Sequence, residues 1–150
     1  KQPIPPGPTS YLEKNYFFQY SPLDKFIGVC HNIDRNIFKK FVSISGVLDF
    51  SKCTQRYAKA IIKNYINNKD FNLKNPINLI KGDEQIPVLC IHGKQDTLIN
   101  PKCSISFIEK INNSKLTRLV LLDNMYHSNI LNIIRGNESK ESKIILDFLN

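Results

Sequence analysis

A chain of 150 residues, 41% of them hydrophobic, is long enough to bury one core. The 21 Lys and Arg against 13 Asp and Glu give a formal charge of +8, yet the basic residues are scattered and follow no nucleic-acid-binding motif, so a solvated basic surface and no nucleic-acid partner are expected. No apolar run approaches the ~18 residues of a transmembrane helix.

The opening Lys1 to Pro8 holds four prolines in eight residues and is excluded from helix and strand, because each proline fixes φ and removes a donor. Tyr11 to Tyr20 is rich in Tyr and Phe and suits either a lid over an apolar pocket or a cap on the core. Phe26 to Cys30 reads as a short strand or an apolar loop, and Ile33 to Lys40 as a short helix. Residues 1–40 together are expected to be a linker, an insertion or a lid segment.

Phe41 to Ser45 has the composition of a strand, with Gly46 permitting a sharp exit. Thr54 to Asn67 carries Tyr57, Ala58, Ile61, Ile62, Tyr65 and Ile66 on one helical face and Lys59, Lys63 and Asn67 on another, which predicts an amphipathic helix. Its tyrosines suit either an acyl or aryl pocket or simple packing on a sheet. A loop through Asn75-Pro76 follows.

The stretch Pro87-Val-Leu-Cys-Ile-His-Gly-Lys-Gln-Asp96 is an apolar run of strand length that ends in a polar turn carrying Asp96. Asn100-Pro101 then offers an N-cap followed by proline at the first helical position, and Ser104 to Ile111 has helical spacing of its apolar residues. Arg118-Leu-Val-Leu-Leu-Asp-Asn-Met-Tyr-His127 repeats the first pattern, a strand whose closing turn carries His127. Strand, helix, strand implies a right-handed crossover between parallel neighbours, which brings Asp96 and His127 to the same carboxyl edge of one sheet. Ligands bind there in open α/β sheets. Glu138 to Asn150 predicts a last helix covering the final strand. The fold class is therefore α/β, a parallel sheet with flanking helices.

A carboxylate that orients an imidazole is two-thirds of a hydrolytic triad, and these two stand in the chain order acid, then histidine. On these residues the chain resembles the α/β-hydrolases: His92-Gly93-x-x-Asp96 is similar to that family's acid turn, Asn124-Met-Tyr-His127-Ser to its histidine loop, and Ser43-Ile-Ser-Gly-Val-Leu-Asp49 to the strand and turn after its nucleophile helix. Pairing an S-G-x-x-D turn with an H-G-x-x-D turn makes kynurenine formamidase and isoprenylcysteine methylesterase the nearest branches. The likeness covers residues 41–150, which implies the carboxyl-terminal part of an α/β-hydrolase domain. It implies Asp96 as the acid, His127 as the base, and His92 as a structural support for the acid turn.

The nucleophile that the resemblance demands is missing. No G-x-S-x-G occurs, and Ser45 lacks the glycine two positions earlier that a tight elbow requires. Cys30, in Gly28-Val-Cys30-His-Asn32, is the nearest substitute, as in dienelactone-type hydrolases, but about ten residues between it and the strand at Phe41 leave too little for an elbow helix and return loop. The expectation is an upstream segment of the same hydrolase that supplies nucleophile and oxyanion hole. With it, the protein hydrolyses an ester, thioester or amide of a small-molecule or lipid-like substrate; the alternative is a non-catalytic hydrolase-like binding or scaffold module.

Cys30, Cys53, Cys90 and Cys103 have neither CxxC spacing nor the density of a disulfide scaffold. Free thiols favour the cytoplasm without fixing the localisation. His31, His92 and His127 stand apart from any cluster of ligands, so neither a metal nor another cofactor is expected.

Overall fold

The computed structural model describes residues 16–20, 39–66, 71–81, 85–134 and 139–150. Among the described residues, four parallel strands lie in the order β1 (Tyr16–Tyr20), β2 (Lys40–Ile44), β3 (Val88–Gly93) and β4 (Thr117–Leu122). Five helices accompany them: α1 (Arg56–Ile66), α2 (Phe71–Lys74), α3 (Lys102–Ile111), α4 (His127–Ile134) and α5 (Lys140–Leu149). This is an α/β arrangement, with every strand presenting its carboxyl end at the same edge.

Side chains alternate across the sheet, as the two-residue period of a strand requires. Leu89 and Ile91 of β3 join Val42 and Ile44 of β2 on one face, where Ile130 and Ile133 of α4 and Ile145 of α5 cover them. Val88 and Cys90 point to the other face and pack with Phe107 and Ile111 of α3 and with Leu48. β3 is buried at all six positions because helices cover both of its faces and strands pair with both of its edges. That explains why it reads as an unbroken apolar run.

The helix termini follow local chemistry. Pro101 has helical φ and ψ, and the Asn100 side chain before it accepts the Lys102 N–H at 3.0 Å. Asn112 ends α3 with φ of 50°, in the left-handed region that asparagine tolerates. At α5, Ser139 and Ser142 exchange side-chain-to-backbone hydrogen bonds in a capping box.

Three expectations need correction. Tyr16–Tyr20, expected within a lid or core cap, forms a strand paired with β2 from Tyr16 opposite Lys40 to Tyr20 opposite Ile44. A run of consecutive aromatics lacks the alternation that marks a half-buried strand, although its residue types favour one. Lys40, expected at a helix end, opens β2, where its backbone joins the β1 and β2 ladder. The stretch after α1 is more ordered than a loop: α2 and a 3₁₀ turn at Pro76–Leu79 bracket Asn75, whose Oδ1 accepts the Phe50 N–H. The expectations for Lys1 to Pro8, Phe26 to Cys30 and residues 33–38 lie outside the described residues.

A second core joins α1 to the segment after β2. Ala58 and Ile62 pack there with Val47, Phe50, Cys53, Ile99 and Cys103, while Tyr57 faces solvent at 47% exposure. The Cys53 and Cys103 sulfurs are 3.1 Å apart as free thiols, and both donate toward the Asp49 carbonyl oxygen. The Cys103 contact and burial push the Cys53 thiol far above its usual range, and burial pushes Cys90 up to about 12. Since the attacking sulfur must be an accessible thiolate and all three are buried, Cys53, Cys90 and Cys103 should react with iodoacetamide near pH 8 far more slowly than free cysteine, and speed up on unfolding in urea. Peptide-resolved mass spectrometry reads this directly; fast alkylation of any of the three in the folded protein contradicts the packing.

Candidate active site at the carboxyl edge of the sheet

β3 ends at Gly93, and the chain must turn at once because Gly93 touches the loop that follows β4. A methyl group placed on Gly93 would collide with the Met125 carbonyl, so only glycine fits. Backbone bonds close the same contact: Lys94 N–H donates to Leu122 O at 2.9 Å and Gln95 N–H to Met125 O at 3.2 Å. Asn124 supplies the bend after β4, with φ of 55°. The two turns are thus held together by main chain.

Asp96 follows, with its side chain fully buried. Its Oδ1 accepts the backbone N–H groups of Leu98 at 2.9 Å and Ile99 at 2.8 Å, an Asx turn that fixes the carboxylate plane. Its Oδ2 lies 2.7 Å from His127 Nδ1 and 3.3 Å from His92 Nε2. Burial by itself would raise the carboxyl pKa. The bonds from His127, His92 and the Ile99 N–H outweigh it and hold Asp96 well below the usual carboxylate range.

His127, expected in a loop, is the first residue of α4, and its side chain is 12% exposed. The helix went unread because Ser-Asn-Ile-Leu-Asn-Ile-Ile offers no acidic first turn and few strong helix formers. It is held instead by Ile130 and Ile133 packing on the sheet. With an ionised acceptor against Nδ1, that nitrogen carries the proton and Nε2 keeps its lone pair. Among the described residues, Nε2 has no hydrogen-bond partner.

His92 has no exposure at all. Its Nε2 is 3.0 Å from the Ile99 carbonyl oxygen and its Nδ1 is 2.8 Å from Ser104 Oγ. Composition and spacing gave no sign of the Ser104 contact, which depends on α3 crossing the face of β3 that carries position 92.

Ser45 sits at the end of β2 with φ of 48°, is 2% exposed, and has an unpartnered hydroxyl among the described residues. A positive φ in a buried serine is a strained backbone. Cys30 lies outside the described residues. A groove of about 450 Å³ runs between Phe50, Phe71 and α1, lined also by Lys59, Ile62 and Lys63. The tyrosines of α1 do not line it, and neither do Asp96 and His127. No group of three metal-ligating side chains occurs among the described residues, and none of their helices is long and apolar enough to cross a membrane.

No family model matches the chain, and no curated protein sequence matches it. Solved structures do. A truncated carbohydrate esterase from gut microbiota superposes with a TM-score of 0.61 at 18% identity, over 75% of this chain and 41% of that one. The folding pattern is part of an α/β-hydrolase. Esterase 2 of Thermogutta terrifontis, phosphonylated by sarin, gives 0.59 at 15% identity over 80% and 47%. The acylaminoacyl peptidase of Pyrococcus horikoshii gives 0.58 at 17% over 75% and 20%. The chain therefore spans less than half the length of each of these hydrolase-fold proteins, and at such identities the likeness establishes the fold alone.

Two predictions follow from the geometry. Gly93→Ala should cost about 1–3 kcal/mol by urea unfolding, as overpacking against backbone does, and should lengthen the Asp96 to His127 contact. Wild-type stability in that variant would show that the turns move apart freely. The second concerns acid. Asp49 is also held below the usual carboxylate range: burial raises it, but hydroxyls of Ser51 and Ser106, the Ser51 N–H and the Asn75 amide lower it by more. A carboxyl depressed in the folded state contributes stability that is full above its unfolded pKa and is lost as pH falls through the folded value. The urea midpoint should therefore drop below about pH 4, and Asp96→Asn should drop less steeply there than wild type.

Proposed function

We propose that Asp96 and His127 are the acid and the base of a hydrolytic triad that cleaves a carboxylic ester, thioester or amide through an acyl intermediate. The observation that carries this reading is the 2.7 Å contact between Asp96 Oδ2 and His127 Nδ1, made by a carboxylate whose other oxygen is committed to backbone. Asp96 holds the imidazole with Nδ1 protonated and stabilises the imidazolium as it forms. His127 Nε2 takes the proton from the nucleophile and then gives it to the leaving group.

The nucleophile and the oxyanion donors come, in this proposal, from a segment upstream of the chain. The likeness to two esterases and a peptidase supports hydrolysis of an acyl bond, and the paired S-G-x-x-D and H-G-x-x-D turns support a kynurenine formamidase or isoprenylcysteine methylesterase type of substrate, small or lipid-like. The buried free thiols support a reducing compartment.

The test is labelling by a fluorophosphonate probe together with turnover of p-nitrophenyl esters. Protein that includes the upstream segment should do both, and the 150-residue chain alone should do neither. Mapping the labelled peptide finds the nucleophile; label on Ser45 or another serine of this chain would move it here. Asp96→Asn should lower kcat by on the order of 10⁴ with the fold retained, because the imidazole is then held in the wrong tautomer. His127→Ala should lose at least as much. Full activity in both variants makes the pair structural and the chain a binding module.

A further inference from the structure

The acid shares one oxygen between two imidazoles. Asp96 Oδ2 faces His127 Nδ1 at 2.7 Å and His92 Nε2 at 3.3 Å, and the same His92 Nε2 lies 3.0 Å from Ile99 O. Both groups opposite His92 Nε2 are acceptors, a carbonyl and a carboxylate, so Nε2 must carry the hydrogen; it donates to Ile99 O, and Asp96 Oδ2 stands 3.3 Å from the same nitrogen as a charge–dipole contact. Nδ1 is then a lone pair, and the Ser104 hydroxyl at 2.8 Å must donate to it. The tautomer of His92 is fixed from both ends.

We propose that His92 is a positioning residue that sets the basicity of His127, by holding its N–H dipole against the carboxylate oxygen that His127 also uses, with Ser104 on α3 fixing the tautomer that permits this. An N–H dipole 3.3 Å from Oδ2 offsets part of the charge that stabilises the His127 imidazolium. Without His92 the acid holds the imidazolium more tightly, and the base takes a proton at higher pH. His92 also grips Ile99 O while the Ile99 N–H binds Oδ1, so it fixes where the carboxylate stands as well as how strongly it accepts. The titratable side chains facing Asp96 among the described residues are His92 from β3 and His127 from α4; the Lys94 and Asp123 pair on the adjoining turns is at least half exposed.

The inference rests on reading His127 as the base, yet its main readout needs no turnover. Full-length protein labelled with ¹⁵N-histidine would be titrated between about pH 5 and 9, the range in which imidazoles change charge, following the ring nitrogens of His92 and His127. His92 should stay in its Nε2–H form throughout. In His92→Phe, which keeps the ring volume and removes the N–H dipole, the His127 midpoint should rise by about 0.5–1 pH unit, the scale of an ordinary polar contact and below that of a formed hydrogen bond to a charged group. Ser104→Ala, which leaves the ring in place but weakens it as a donor, should give a smaller rise, and it decides the matter if His92→Phe does not fold. A His92 carrying its proton on Nδ1, or an unmoved His127 midpoint in the folded variants, overturns the proposal. Unmoved midpoints with full esterase turnover would remove the coupling and keep the triad; shifted midpoints without turnover in wild type would keep the coupling and remove the triad.

Discussion

A carboxylate with no exposure to water is the constraint around which this edge of the sheet is arranged. Taking such a charge out of water costs several kcal/mol unless hydrogen bonds replace its hydration. Asp96 obtains three, from two backbone N–H groups of its own turn and from His127 at the start of α4, and the buried His92 of β3 stands 3.3 Å from Oδ2. The turn and α4 each bring a donor to that one group, and Ser104 of α3 orients the His92 ring beside it.

Asp49 shows how the same difficulty is met without an imidazole. It is 3% exposed and gathers hydroxyls of Ser51 and Ser106, the Ser51 N–H and the Asn75 amide, all neutral donors. Those partners come from α3, from the 3₁₀ turn after Asp49 itself and from the residue between α2 and Pro76. Asp49 thereby ties the α1 side of the molecule to α3. A fixed charge surrounded by neutral donors knits structure, whereas one shared with a partly exposed imidazole has a group against it that can change its own charge.

Much of the site was legible because its main parts are local. Val88 to Ile91 is an unbroken apolar run, Asn100-Pro101 announces α3, and a crossover between parallel strands forces Asp96 and His127 to a common edge. What was not legible depends on packing at a distance. β1 is built from consecutive aromatics with no alternation to mark it, and its place in the sheet comes from β2 offering an open edge. α4 has weak intrinsic helical preference and is stabilised by Ile130 and Ile133 against the sheet. The Ser104 contact to His92 requires the register of α3 across β3, which a separation of 12 residues does not encode by spacing.

Gly93 carries a consequence beyond stability. Where it meets the Met125 carbonyl, acid turn and base turn touch through main chain, so their relative placement is a property of the chain path more than of the side chains displayed there. Lys94, Gln95, Asp123 and Tyr126 can be exchanged for other residues without altering that path. The side chains around Asp96 and His127 are not what fixes that path, while the absence of a single methyl group keeps the two in line.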